Sequence, residues 1–192
     1  MNEKYNMCDI SKPKSIKITN LDLNRDVDVV IANWYDDIKS IVYDKGDFRG
    51  IQIYDKHQNK KGKDDYPFLS IKRINDRSAF TGGRLKKMIR FLKNVKYHSD
   101  YEIELTSFDI NAICYDINTS KYIDSPFYDL VKVIYNQLDS ISLNKEHSDN
   151  LKSVDEHEYI FRNNSDKLEN LKLIMSEVKS IFNDLNLVPI YG

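Results

Sequence analysis

The feature that most constrains this fold is a helical repeat of apolar residues, which runs from Gly83 almost to the end of the chain. Four successive stripes show the 3.6-residue spacing of amphipathic helices. Their members are Leu85, Met88, Ile89, Leu92 and Val95, then Ile110, Ile113, Cys114 and Ile117, then Phe127, Leu130, Val131, Ile134 and Leu138, then Leu168, Leu171, Ile174, Met175, Val178, Ile181, Phe182 and Leu185. Each stripe predicts a helix, and residues 144–150 are expected to form a polar connector.

The first third of the chain has a different pattern, made of short segments that alternate or are continuously apolar. Residues 15–21, 26–32 and 50–54 are predicted as strands, the second of them buried, and the turn between the first two favours a hairpin. The other predictions here are a short helix over 34–43, a polar loop over 57–65 and an edge strand over 67–71. Strands followed by helices predict an α+β fold, with its seam near residue 80.

Composition excludes several classes of protein. The 192 residues carry 29 basic and 30 acidic side chains, a balance too neutral for a dedicated nucleic-acid coat. No window holds the 18 or more apolar residues of a membrane span, and the first residues lack an apolar signal core. Two cysteines do not make a disulfide framework. We therefore expect a soluble, cytoplasmic protein.

Two carboxylates stand out in the predicted strand at 26–32. Asp26 and Asp28 are two residues apart, so on a strand both side chains project from the same face. Paired carboxylates suit Mg²⁺, which binds a few carboxylates together with phosphate oxygens of a substrate. The alternative is a turn residue followed by an aspartate that faces solvent.

A row of cations lies on the first predicted helix of the C-terminal part. Lys86, Arg90 and Lys93 have i, i+4 and i+7 spacing, which places them along one face, opposite the apolar stripe. Such a ridge can offset the charge of a triphosphate. The alternative is an ordinary solvated helix face.

The next predicted helix begins with a polar pair. Thr106 or Ser107 can cap it, and Asp109 is favourable in its first turn. The free N–H groups of a helix N-terminus can bind phosphate, and Phe108 beside them could stack on a base. The alternative is a plain cap followed by a core phenylalanine.

The order of these segments resembles one family. DVDVVIA, GIQIYD, a Tyr-Pro pair, INDRSAFTGGRLKKMIRFLKN and TSFDI are similar to the C-terminal two-thirds of nucleotidyltransferases of the DNA polymerase β superfamily. The most similar branch holds oligoadenylate synthetase, cyclic GMP-AMP synthase and bacterial cyclic-oligonucleotide synthases. The resemblance spans about residues 14–185, and 77–94 is its most specific part. It implies a remnant of a small mixed or antiparallel palm sheet in 1–78, packed against a helical nucleotide-binding domain in 79–192.

The resemblance also implies roles for individual residues. Family members hold two Mg²⁺ ions with three carboxylates, and residues 28–31 match the segment of the third, with isoleucine where the family has proline. Asp28 is therefore expected to ligate Mg²⁺ and to help deprotonate the attacking hydroxyl. Lys93 and Ser107 match a lysine and a hydroxyl that contact the triphosphate. Phe108 matches an aromatic residue that stacks on the base.

One family element has no match in the sequence. The first two carboxylates of the family follow a Gly-Ser turn, but no glycine precedes Gly46. Three readings stay open: a fragment of a longer enzyme, half of a split enzyme, or a scaffold without catalysis. The expected function is Mg²⁺-dependent transfer of a nucleoside monophosphate from a nucleoside triphosphate to a hydroxyl, with an N-terminal half or complementing chain as partner. The alternatives are a non-catalytic nucleotide-binding or interaction module on the same scaffold, and an unrelated helical interaction protein.

Overall fold

A computed structural model describes residues 8–20, 25–36 and 49–187 of the chain. The chain divides into two compact units, Met1–Leu69 and Ser70–Gly192. The first unit carries strands and the second carries helices, so the predicted α+β class is confirmed. None of the helices in the described ranges has the length and hydropathy that a membrane span requires.

Six described strands form two antiparallel sheets of three strands each. The first sheet contains β1 (Cys8–Asp9), β2 (Ile16–Asn20) and β3 (Arg25–Val29), and the second contains β4 (Ala32–Tyr35), β5 (Gly50–Asp55) and β6 (Lys60–Asp65). The hairpin predicted from the first two strand segments is confirmed, because β2 and β3 pair in antiparallel register.

Strand β3 differs from its prediction in burial and in length. It ends at Val29 rather than continuing to residue 32, and Val27 is half exposed. Cross-strand pairing places Val27 opposite Ile18, and Asp28 opposite Lys17. Side chains alternate between the faces of a strand, so the sheet has one apolar and one charged face. The prediction of a buried strand was wrong, because its apolar residues belong to only one face.

The helix predicted over 34–43 was wrong at its start, because Trp34 and Tyr35 lie in β4. Residues 37–43 lie outside the described part of the chain. Trp34 pairs with Ile51 across the sheet, and its ring lies 5.4 Å from that of Phe68. Aromatic side chains fit such cross-strand positions well, and this pairing outweighs the helical spacing of a short segment.

The loop predicted over 57–65 is largely strand β6, which pairs with β5. The side-chain amide of Gln52 donates to Asp64 at 2.6 Å across this pair. Strand β6 has a free outer edge among the described strands of its sheet, where charged residues are tolerated and protect against further pairing. Its polar sequence is therefore compatible with main-chain pairing, and the prediction of a loop was wrong.

The edge strand predicted over 67–71 is the first turn of helix α1 (Pro67–Phe80). Proline suits the first position of a helix, because its fixed φ is helical and its missing N–H has no partner there. The predicted division at 78/79 falls inside α1, and it stays a prediction.

Five further α-helices follow in the described part of the chain. They are α2 (Arg84–His98), α3 (Ser107–Asp116), α4 (Phe127–Leu143), α5 (Lys145–Asn150) and α6 (Ser165–Leu187). The four predicted stripes lie on α2, α3, α4 and α6, and they supply most of the buried core of the second unit. The connector predicted over 144–150 is mostly helix α5, which Asn144 caps by accepting from the N–H of His147.

The turn between α1 and α2 depends on two glycines. Gly82 and Gly83 have φ angles of 57° and 81°, in the left-handed region that favours glycine. These angles allow α1 to end at Phe80 and α2 to begin at Arg84, after only three intervening residues.

We expect Gly83→Ala to reduce the free energy of unfolding by about 1 kcal/mol, because alanine is strained in the left-handed region. A Cβ at this position would meet nothing within 4 Å, so crowding adds no cost. Chemical denaturation measures the change. Gly83→Asn is the matched control, since asparagine tolerates this conformation better. An alanine variant as stable as the wild type would contradict this account.

Candidate nucleotide-binding site

The two strand carboxylates lie on the charged face of the first sheet, as their spacing predicted. Asp26 accepts from Thr19 Oγ1 at 2.8 Å and pairs with Lys17 Nζ at 2.7 Å. Asp28 pairs with Lys12 Nζ at 3.2 Å. The hydrogen bond from Lys17 holds the pKa of Asp26 below its ordinary value, and the same contact raises the pKa of Lys17. Each of the two carboxylates therefore already has a lysine as its neighbour.

These carboxylates do not make a metal centre by themselves. Within the described residues, no group of three or more His, Cys, Asp or Glu side chains could hold a metal ion. Asp26 and Asp28 are each about half exposed and each contacts a lysine. Two Mg²⁺ ions need more carboxylate oxygens than this pair offers. The described part of the chain therefore offers some of the carboxylate ligands of such a metal site, but not a complete set.

The predicted cationic ridge is present on α2. Lys86 and Arg90 are exposed and Lys93 is half buried, opposite the buried apolar stripe. None of these three cations has an ion-pair partner among the residues that the structure describes. Lys172 on α6, by contrast, pairs with Glu169 at 2.6 Å. A row of cations without acidic neighbours is suited to an anionic ligand.

The first turn of α3 settles which residue caps the helix. Thr106 Oγ1 accepts from the N–H of Asp109 at 3.2 Å, and Asp109 Oδ2 accepts from the N–H of Thr106 at 2.8 Å. This reciprocal pair is a capping box. Thr106 is therefore the cap, and Ser107 is the first helical residue. The Ser107 side chain is exposed and has no hydrogen-bond partner in the described ranges, so its hydroxyl is available to a ligand.

Two other helices hold the segment before α3 in place. Lys96 of α2 donates to the carbonyl of Leu105 at 2.7 Å, and the Asn170 side chain of α6 accepts from the N–H of Glu104 at 2.6 Å. Lys167 of α6 pairs with the fully buried Asp109 at 2.6 Å. Sequence reasoning missed these anchors. The Thr-X-X-Asp capping pattern was visible, but no local signal links it to Lys167 or Asn170, about sixty positions later.

Lys93 lies on α2, and Phe108 lies in the first turn of α3. Burial raises the pKa of the Cys114 thiol on α3, and the positive charge of Lys93 opposes that shift. The Lys93 ammonium therefore lies within electrostatic range of the Cys114 thiol on α3. Phe108 is half buried and packs against the core, so only part of its ring can reach a base. The second unit therefore contains the ridge, the cap and the aromatic. The role in Mg²⁺ binding that the resemblance implies for Asp28 stays a prediction.

A polar cleft of about 410 Å³ lies elsewhere in the second unit. Tyr115 and Asp116 at the C-terminal end of α3 line it, together with Arg77 and Glu156. A ten-residue helix is roughly 15 Å long, so this cleft is at the far end of α3 from Ser107. None of the predicted site residues lines it.

The fold and these residues define a protein of the nucleotidyltransferase class, and comparison with known proteins identifies the family. A family model described as the cGAS/DncV-like nucleotidyltransferase C-terminal helical domain matches residues 72–183. That match covers more than half of the chain. The protein belongs to the cGAS/DncV-like nucleotidyltransferases.

The relatives include cyclic-dinucleotide synthases. The chain is 56% identical over 183 residues to a c-di-GMP synthase of Capnocytophaga granulosa, which covers 94% of this chain and 52% of the relative. The solved structure of the STING-associated CdnE c-di-GMP synthase from Capnocytophaga granulosa matches with a TM-score of 0.89 at 55% identity, over 96% of this chain and 60% of that one. The structure of Rhodothermus marinus CdnE c-UMP-AMP synthase with Apcpp and Upnpp matches with a TM-score of 0.72 over 100% of this chain and 65% of that one. At 14% identity it shows the fold alone.

The lengths of the matched proteins differ from that of this chain. The chain spans about half the length of the curated relatives it matches. The activity, substrates and partners of a whole synthase are therefore proposals for this chain.

We expect Thr106→Ala to lower the free energy of unfolding by about 1–2 kcal/mol, because it removes the acceptor for the N–H of Asp109. Thermal or chemical denaturation measures this loss. Thr106→Ser keeps the hydroxyl and is expected to retain most of the stability. Equal losses in the two variants would show that the capping hydroxyl is not the cause.

Proposed function

We propose that this chain is the nucleotide-binding part of a cyclic-dinucleotide synthase that uses GTP as donor and acceptor and forms c-di-GMP. In the reaction, a hydroxyl oxygen of one nucleotide attacks the α-phosphorus of a triphosphate, the bond to the β-phosphate oxygen breaks, and pyrophosphate leaves. The observation that carries the proposal is the ridge of cations on α2, which have no ion-pair partner among the described residues, together with the capped N-terminus of α3. Both features lie inside the segment that the family model matches.

The residues of the second unit have defined roles in this proposal. Lys93 contacts the triphosphate, and Lys86 and Arg90 add positive charge along the same helix. The Ser107 hydroxyl and the free N–H groups of the first turn of α3 donate to phosphate oxygens. Phe108 packs the exposed part of its ring against the base. Positioning and charge neutralisation account for most of the rate enhancement in such a site.

Asp28 is proposed as the carboxylate that this chain contributes to catalysis, with Asp26 as a second candidate ligand. Bound Mg²⁺ would supply Lewis-acid stabilisation of the phosphate charge. The described residues offer only part of the carboxylate ligands that such a site needs. We therefore propose that further carboxylates come from polypeptide equivalent to the rest of the synthase, either continuous with this chain or supplied as a partner. The pool of nucleotides is proposed to be cytoplasmic.

The runner-up function is a nucleotide-binding or interaction module without catalysis. The observation that favours it is the incomplete set of carboxylates in the described part of the chain. Both functions require nucleotide binding, and only the first requires turnover. The two functions are therefore distinguished by measuring whether the chain forms c-di-GMP when the remaining half of a synthase is supplied.

Binding is tested by thermal shift. GTP with Mg²⁺ is expected to raise the melting temperature of the chain, because a ligand that binds only the folded state stabilises it. Lys93→Ala is expected to reduce the shift. Lys132→Ala removes an exposed cation from α4. It is the matched control and should leave the shift unchanged. If none of the four nucleoside triphosphates raises the melting temperature, both nucleotide functions are wrong.

Turnover is tested by complementation. The segment of the Capnocytophaga granulosa synthase that this chain does not match is co-expressed with the chain, and c-di-GMP is measured from GTP and Mg²⁺. The reconstituted pair is expected to form product, and Asp28→Asn should abolish it. Asp9→Asn, on the same sheet, is the control and should retain activity. A folded complex that binds GTP without forming product would favour the non-catalytic module.

A further inference from the structure

The network around Asp109 has an electrostatic consequence at the N-terminus of α3. The Asp109 carboxylate has no solvent exposure and lies in the first turn of the helix. Its Oδ2 atom accepts from both the N–H and the hydroxyl of Thr106, at 2.8 and 2.7 Å. Its Oδ1 atom accepts from Lys167 Nζ at 2.6 Å. A buried negative charge therefore lies two residues from Ser107, where the proposed function places phosphate.

An uncompensated carboxylate at that position would repel a phosphate. Coulomb interactions are stronger in a medium less polar than water, so a charge two residues from the phosphate position still matters. Lys167 supplies the compensating charge, and its side chain is mostly shielded from solvent, with 29% of its surface exposed. Its ammonium group therefore stays close to Asp109 and offsets the carboxylate locally.

The position of Lys167 supports a role beyond its own helix. It lies in the first turn of α6, where its N–H donates to the Asn164 side chain at 3.0 Å. A cation is disfavoured at a helix N-terminus, because the helix dipole is positive there. The pairing with Asp109 offsets that cost. The positive charge of Lys167 thus stabilises the Asp109 carboxylate on α3 and does not stabilise α6.

We infer that Lys167 is a positioning residue for the triphosphate: it neutralises buried Asp109, and so leaves the N-terminus of α3 positive enough to bind phosphate through Ser107 and the free N–H groups. Lys167 itself does not touch the nucleotide. This inference rests on the proposed function, because it assumes that a nucleoside triphosphate binds at α3. The inference also predicts that the loss of affinity caused by removing the Lys167 charge increases with the charge of the ligand. The proposed function alone does not require this.

The test compares ligands of decreasing charge. Dissociation constants of GTP, GMP and guanosine are measured by calorimetry for the wild type and for Lys167→Met. Removing the cation leaves the carboxylate uncompensated, so GTP is expected to bind about tenfold more weakly, GMP about threefold more weakly, and guanosine unchanged. A merely structural role for Lys167 would weaken all three ligands by the same factor, and that result would overturn the inference.

The same set of measurements includes a rescue and a matched control. Asp109→Asn combined with Lys167→Met removes both charges, and it is expected to restore the wild-type ratio of GTP to guanosine affinity. Lys172→Met removes an exposed cation from α6 that pairs with Glu169, and it should change no affinity. Failure of the double variant to restore the ratio, in a folded protein that still binds guanosine, would overturn the inference.

A second variant keeps the inference testable if Lys167→Met does not fold, since an unpaired buried carboxylate is strongly destabilising. Asp109→Asn alone removes the negative charge and keeps the cation, so it is expected to tighten GTP binding about threefold while guanosine stays unchanged. Weaker GTP binding by this variant would overturn the inference. If the wild type binds neither GTP nor GMP, the proposed function fails. If it binds them and the variants show no dependence on ligand charge, only this inference fails.

Discussion

The start of α3 depends on one partly buried ion pair, that between Asp109 on α3 and Lys167 on α6. Asp109 also forms the capping box with Thr106, so a single carboxylate fixes both the start of α3 and its contact with α6. Removing one partner of such a pair is far more costly than replacing both, because the remaining charge is left buried. The start of α3 is therefore held rigidly, and the exposed Ser107 hydroxyl lies next to this fixed point.

Two kinds of charge in this protein have different structural roles. Around Asp109 every carboxylate oxygen has a donor, and the network is satisfied within the protein. Along the outer face of α2, Lys86, Arg90 and Lys93 have no acidic partner in the described part of the chain. The first arrangement stabilises the fold, and the second is suited to binding a ligand. The family assignment gives that ligand its proposed chemistry, a nucleoside triphosphate.

Helical periodicity predicted the second unit well, because its apolar stripes are long and each repeats over several turns. The first unit was predicted less completely. Polar strand β6 looked like a loop, since main-chain pairing does not require apolar side chains. Pro67 looked like part of an edge strand, although it begins a helix. Short segments carry too few repeats to separate strand from helix, and tertiary pairing then decides.

The candidate site shows the same limit. Lys93 and Ser107 were identified from the sequence because a helix face and a helix start are local patterns. The anchors Asn170 and Lys167 were missed because they act from a helix that is distant in sequence, and Lys96 was missed because its partner is a main-chain carbonyl, which the residue pattern does not reveal. Local sequence patterns therefore identify residues that can contact a ligand. The residues that hold them in place can be identified only from the three-dimensional structure.

The most direct test of the central claim is a titration of ¹⁵N-labelled protein with GTP and Mg²⁺, followed by backbone amide chemical shifts. The account predicts that the largest changes occur at the N–H groups of Ser107 and Phe108 and along the cationic face of α2. Changes concentrated at Tyr115 and Asp116, in the cleft at the far end of α3, or no changes in the second unit, would contradict it.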